Sequence, residues 1–122
     1  MTKEDKELLL KDLCARLPYG VIVETPKGKG HVCDINLTIF GTEVGVNINA
    51  TSRDRFNIED IKPYLFPRSS MTKEQHKEWL NTLSSDYHIT YDTVDWLNKN
   101  HFDYHNLIEK GLAINASDLN IY

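Results

Sequence analysis

Cysteine is scarce in this chain, with Cys14 and Cys33 the only two among 122 residues. Disulfide-stapled scaffolds are far denser in cysteine, so the fold has to rest on a packed core. Long apolar runs are absent as well; none approaches the roughly 20 residues of a membrane-spanning helix. Positive charge is not in surplus: 14 Lys+Arg face 18 Asp+Glu, a net of −4, which argues against a protein that coats duplex DNA by bulk electrostatics. Residues 1–11 mix Lys3, Glu4, Asp5, Lys6 and Glu7 ahead of three leucines, unlike an export segment of about 7–15 apolar residues. The expectation is a cytoplasmic protein with both thiols reduced, in which three Asn-x-Ser/Thr strings are chance. Phosphate-loop, dinucleotide-binding, zinc-protease and nucleophile-elbow signatures are also missing, so neither an enzyme nor a bound cofactor is expected.

What is present reads as one α+β domain. Thr2-Lys3-Glu4-Asp5 has the form of a helix cap, and Leu9, Leu10, Leu13, Cys14 and Leu17 recur at helical spacing, which predicts a helix over residues 3–16 ended by Pro18 and Gly20. Residues 19–58 read as a strand meander. Val21-Ile22-Val23 leads to a Pro26–Gly30 turn. Ile35, Leu37 and Ile39 then alternate with polar residues, Gly41-Thr42 turns the chain, and Val44, Val46 and Ile48 alternate in their turn. Residues 49–54 read as a loop and 55–58 as a short fourth strand. Such a meander predicts a small antiparallel sheet or a partly closed SH3-like barrel.

Pro63 and Pro67 disfavour a helix, so residues 59–70 read as a helical turn and an extended crossing segment. Residues 71–113 turn helical. Thr72-Lys73-Glu74-Gln75 is a capping box for a helix through about Ser84; residues 85–90 are irregular, strand-like near Tyr87–Ile89. Asp92 is placed to cap a third helix, and Asp103 a fourth that Gly111 ends. The expected core is Leu9, Leu13, Val21, Ile35, Leu37, Val46, Ile48, Ile61, Leu65, Trp79, Leu83, Trp96, Leu97, Leu107 and Ile108. Residues 1–69 hold ten basic and ten acidic side chains and residues 70–122 four and eight, so the net negative charge belongs to the helical third.

Three segments resemble a family of short uncharacterised proteins encoded by gut anaerobic bacteria, their phages and mobile elements. They are Lys11-Asp12-Leu13-Cys14-Ala15-Arg16-Leu17-Pro18-Tyr19-Gly20-Val21; Ile61-Lys62-Pro63-Tyr64-Leu65 through Pro67 to Ser69-Ser70-Met71-Thr72; and Asp95-Trp96-Leu97 with His101-Phe102-Asp103-Tyr104 and residues 107–113. The resemblance brings no activity. It implies a genomic setting, that of a phage or mobile-element accessory protein in a bacterial cytoplasm.

Candidate chemistry is thin. His101, Asp103 and His105 have the residue types of a metal site, though Asp103 has a capping role available. His31 and Cys33 alternate along a strand and with Cys14 offer a soft-ligand set, with no CxxC pair to support it. Lys27 and Lys29, in a Gly-rich turn, join Arg53, Arg55 and Arg68 as a candidate phosphate or single-strand nucleic-acid surface that lacks interleaved aromatics. Trp79, Trp96, Phe102 and Tyr104, set among acidic helices, are the candidate protein-binding residues. The reading favoured by the residues is a non-enzymatic binding protein that engages a protein partner. A small-barrel nucleic-acid or nucleotide binder and a metal-dependent enzyme on the His101/Asp103/His105 cluster are the alternatives, and a structural role in a virion is open.

Overall fold

A computed structural model describes residues 1–49 and 52–122. The chain is an α+β protein, with an N-terminal helix, an open and mostly antiparallel sheet, and short helices after it. Helix α1 spans Lys3–Arg16; Thr2 Oγ1 accepts from the Asp5 N–H and the Asp5 carboxylate from the Thr2 N–H, the reciprocal cap read from the sequence. A 3₁₀ turn over Leu17–Tyr19 follows, and Gly20, at φ +66°, stops it in the left-handed region that favours glycine.

Strands β1 (Ile22–Thr25), β2 (Gly28–Thr38), β3 (Gly41–Asn49) and β4 (Ser52–Asn57) form the antiparallel meander, and β5 (Lys62–Pro67) adds to the free edge of β1. Helices α2 (Lys73–Asn81) and α3 (Tyr91–Lys99) come next. Two short strands, β6 (Phe102–Asp103) and β7 (Ile114–Asn115), then pair in parallel with different stretches of β5. The order β4-β3-β2-β1-β5-β6 does not close among the described residues, so the partly closed barrel is corrected to an open sheet. The sheet curls all the same, since Lys27 at the tip of the β1–β2 turn reaches Asp54 of β4 at 3.6 Å. The fourth strand is longer than expected, because the polar residues Ser52 to Asp54 pair with β3.

Register divides the sheet into two faces. Val21, Val23, Val32, Val44 and Val46 pack inward with Leu9 and Leu13 of α1, Ile58, Ile61, Leu65, Leu107 and Leu112. The other face carries His31, Asn47 and Arg53 in one cross-strand row and Asp34, Gly45 and Arg55 in another. A β-bulge at Cys33 turns Asp34 outward, which interrupts the alternation of His31 with Cys33. The Asp34 carboxylate lies over Gly45 and meets Arg55 at 3.0 Å and Arg53 at 3.4 Å.

Beyond the core the β2–β3 ladder projects as a finger. Leu37 is therefore 70% exposed, not buried, and Ile35, Ile48, Trp79, Leu83, Trp96 and Ile108 are only half-buried. Helix α2 stops at Asn81, and residues 85–90 form no strand. Helix α3 is capped by Thr90 rather than Asp92: Thr90 and Thr93 cap each other, and both hydroxyls donate to the Thr82 carbonyl at 3.0 Å. No fourth helix forms, because Asn106 adopts φ +58° and breaks the run into turns.

Gly30 has a steric reason that the turn reading missed. A Cβ there would stand 2.6 Å from the Asn47 carbonyl oxygen, whereas one at Gly45 would meet only the mobile Asp34 carboxylate at the same distance. Gly30→Ala should therefore lower the unfolding free energy by about 1–3 kcal/mol in urea melts. Gly45→Ala should cost less than about 1 kcal/mol, since Asp34 can swing away at the expense of two surface ion pairs. Equal losses would refute the steric account.

Candidate functional site

Three of the residues singled out from sequence, Phe102, Tyr104 and His105, meet at one buried network that the sequence did not show. Asp12 and Arg16 lie one turn apart on the inward side of α1 and are both fully buried. The Arg16 Nε and Nη2 donate to the two Asp12 carboxylate oxygens at 2.8 and 3.1 Å, and Nη2 also donates to the Phe102 carbonyl at 2.6 Å. His105 Nδ1 stands 2.9 Å from Asp12 Oδ1, and the Tyr104 ring lies 5.2 Å from the guanidinium carbon. Burial pushes the Asp12 pKa up, but the hydrogen bonds and charges of His105 and Arg16 outweigh it and hold the carboxyl below its usual range.

Around this network the three candidate metal ligands point to different partners. Asp103 accepts from the backbone N–H groups of His105, Leu107 and Ile108 at 3.2, 3.0 and 3.0 Å, so it caps the turns of residues 105–111 as expected, though no helix follows. His105 is committed to Asp12. His101 sits at φ +63° with its ring stacked on Tyr122, centroids 3.8 Å apart. Among the described residues no group of three His, Cys, Asp or Glu is placed to hold a metal, so the His101/Asp103/His105 cluster is corrected to three structural roles. Cys14 is an exposed free thiol on α1 and Cys33 a half-buried one at the bulge.

The aromatic candidates divide. Phe102 is 1% exposed and stacks on Trp96 with ring centroids 5.6 Å apart, so its ring serves the core and cannot meet a partner. Tyr104 is half-buried and donates to Asn98 Oδ1. Trp79, also half-buried, stacks against the exposed His76. The most exposed apolar side chains of the helical third are instead Tyr87, Ile89 and Tyr91, ahead of Leu80, Leu119 and Tyr122.

Apart from Arg68, the cations of the nucleic-acid alternative all have acidic partners: Lys27 with Asp54, Lys29 with Glu24, and Arg53 and Arg55 with Asp34. They form no free basic surface. Beside them a shallow hollow of about 220 Å³ lies between Lys29, His31, Asn47 and the C-terminal tail. That tail is fastened by the Tyr122 hydroxyl, which accepts from the Ile22 N–H and donates to the Tyr64 carbonyl.

Sequence reasoning placed Ile39 on a buried strand face and did not consider Phe40. The structure makes Ile39 and Phe40 the two-residue tip of the β2–β3 hairpin, 93% and 92% exposed, with Leu37 beside them. No family model, curated protein or solved structure matches the chain, so function has to be argued from these sites. No helix among the described residues is long and apolar enough to cross a membrane.

Two stability predictions follow from the buried network. Asp12→Ala or Arg16→Met alone should cost about 3–5 kcal/mol, because each strands a buried charge. The double substitution to Leu and Met should recover most of that loss; additive losses in denaturant melts would contradict the coupling. The second concerns His101, whose pKa burial and the Arg16 charge lower from 6.5 to about 4. Folding disfavours its protonation, so stability is full above pH 6.5 and declines as pH falls from 6.5 towards 4. His101→Asn, which tolerates the same backbone, should flatten that decline. An unchanged pH profile would show that other groups cause it.

Proposed function

We propose that this chain is a non-enzymatic binding protein that engages a protein partner by inserting the tip of its β2–β3 hairpin into an apolar cleft. In the setting that the resemblance implies, the partner is a host protein and the chain an accessory factor of a phage or mobile element.

One comparison within the molecule carries the reading. The β1–β2 and β2–β3 turns are built alike. Each opens on a threonine whose hydroxyl donates to a glycine carbonyl three residues on, at 2.6 and 2.8 Å, and accepts from the intervening N–H at 3.1 Å in both. Each ends on that glycine, at φ +117° or +126°, and neither pair of central residues has a positive φ. The geometry is thus indifferent to what occupies its centre. The first turn holds Pro26-Lys27, an ordinary solvated pair, and the second holds Ile39-Phe40. Burying such side chains is worth roughly 1.5–3 kcal/mol each, which this fold forgoes.

Shape favours a cleft over a flat contact. One Phe, one Ile and one Leu offer on the order of 400 Å² of apolar surface, half of what each side of a standard interface buries. Only a partner that surrounds the finger would use all of it. Neighbouring residues Asn36, Thr38, Thr42 and Glu43 provide no cation for anionic lipid headgroups.

Ile39→Ser/Phe40→Ser should leave folding stability within about 0.5 kcal/mol. A photoreactive phenylalanine analogue at position 40 should crosslink one host protein in lysate, and with that protein purified the double variant should bind about 100-fold more weakly. Crosslinks between copies of the chain, partition into vesicles, or no adduct would overturn the reading. Loss of binding confined to Tyr87→Ser/Tyr91→Ser would move the surface to the helical third and overturn it also.

A further inference from the structure

Apart from the hairpin, the groove along the first turns of α2 carries an unassigned set of groups. It is lined by Arg68, Met71, Lys73, His76 and Lys77 and has a volume of about 580 Å³, and Trp79 lines an adjoining hollow of about 330 Å³ that shares Arg68, Met71 and His76. Arg68, Lys73 and Lys77 are all exposed, and among the described residues none has a carboxylate within ion-pair distance, unlike Lys27, Lys29, Arg53 and Arg55. His76 stacks on Trp79 with ring centroids 5.8 Å apart and planes 26° from parallel, and the half-buried indole leaves His76 as the solvent-facing ring.

Helical spacing sorts the charges. Lys73, His76 and Lys77 fall on one side of α2, while Glu74 and Glu78, four residues apart, fall on a separate flank. At the helix start the Thr72 hydroxyl accepts from the Gln75 N–H and the Thr72 carbonyl from the His76 N–H. The Lys73 and Glu74 N–H groups are left without a backbone or capping partner. Cations, helix N–H groups and a stacking ring thus meet in one groove, of a size that small-molecule sites occupy.

We infer that this groove binds a nucleotide unit, with its phosphate between Arg68, Lys73 and the α2 N–H groups and its base stacked on His76. Free nucleotides and the end of a single strand share that chemistry. Three cations without a carboxylate partner suit an anion, and the exposed imidazole over an indole suits a flat π-face; a nucleotide supplies both in one unit. The site is separate from the hairpin tip and stands whether or not the tip binds a protein.

The test uses the full chain and NMR titration with inorganic phosphate, a nucleoside, a nucleoside diphosphate, a six-residue oligothymidylate and an acidic peptide containing tryptophan. Shifts at His76, Trp79 Nε1 and the Lys73 and Glu74 amides are expected with the diphosphate or the oligonucleotide, and which of the two binds tighter identifies the source. His76→Ala should weaken that ligand about tenfold. Lys73→Gln/Lys77→Gln should weaken it and make the logarithmic salt dependence of oligonucleotide binding shallower by about 1.4. All three positions are exposed, so these variants should keep the wild-type melting curve. Phosphate binding as tightly as the nucleotide, tighter binding of the acidic peptide, shifts elsewhere, or no binding to any probe would overturn the inference.

Discussion

The Arg16 guanidinium joins three parts of the chain by directional bonds where the core joins them only by apolar contact. Its two nitrogens on Asp12 lie within α1, but its bond to the Phe102 carbonyl crosses to β6, and Asp12 in turn holds His105. Phe102 and Asp103 form the short parallel strand on β5, and Asp103 caps the turns that carry Leu107 into the core. The helix, the end of the sheet and the C-terminal turns are thus located by one ion pair and its hydrogen bonds. A buried pair of this kind contributes little net stability once desolvation is counted, but breaking it is costly. Its effect is to specify which arrangement the chain adopts: α1 cannot slide or rotate without burying a bare charge.

The same pair marks where sequence reading stopped. Helix α1, both Thr caps, the meander and the extended β5 were legible because each follows from local pattern: a cap residue at the right offset, alternation at period two, or prolines that forbid helix. Nothing in the helical pattern set Asp12 and Arg16 apart, since a buried charge leaves no mark on apolar periodicity. What buries them arrives about ninety residues later, with Phe102 and His105. The bulge at Cys33 was hidden for a related reason: it is a fact about two strands in register, and His31 with Cys33 shows only one. Asn106 likewise broke a helix for which Asp103, Leu107 and Gly111 all argued.

Of the candidate sites, sequence found residue types but not their company. Trp79 was picked out as a recognition residue and Arg68 as part of a different basic surface, yet His76 and Lys73 were not picked out, because the four become a group only when the Arg68–Ser70 turn folds against α2. The other four basic residues of that surface were each answered by a carboxylate across a strand or a hairpin, a pairing that requires the sheet. The hairpin tip was missed through the opposite error. Ile39 fitted an alternating pattern on one face with Ile35 and Leu37, and Leu37 was assigned to the core, because period-two reasoning has no means of knowing where the core ends and the strand continues.

Net charge misleads here in an instructive way. All of the surplus negative charge lies in residues 70–122, which on its own argues against any anionic ligand in that third. Charge acts over about 8 Å at physiological salt, however, so a groove responds to the side chains that line it rather than to the total. On α2 the spacing that sets Glu74 beside Glu78 also sets Lys73 beside Lys77, and the two pairs face different directions. A helix with nearly balanced charge therefore presents a positive flank and a negative one. The flank that faces the groove is positive, and Arg68, which belongs to the neutral part of the chain, reinforces it.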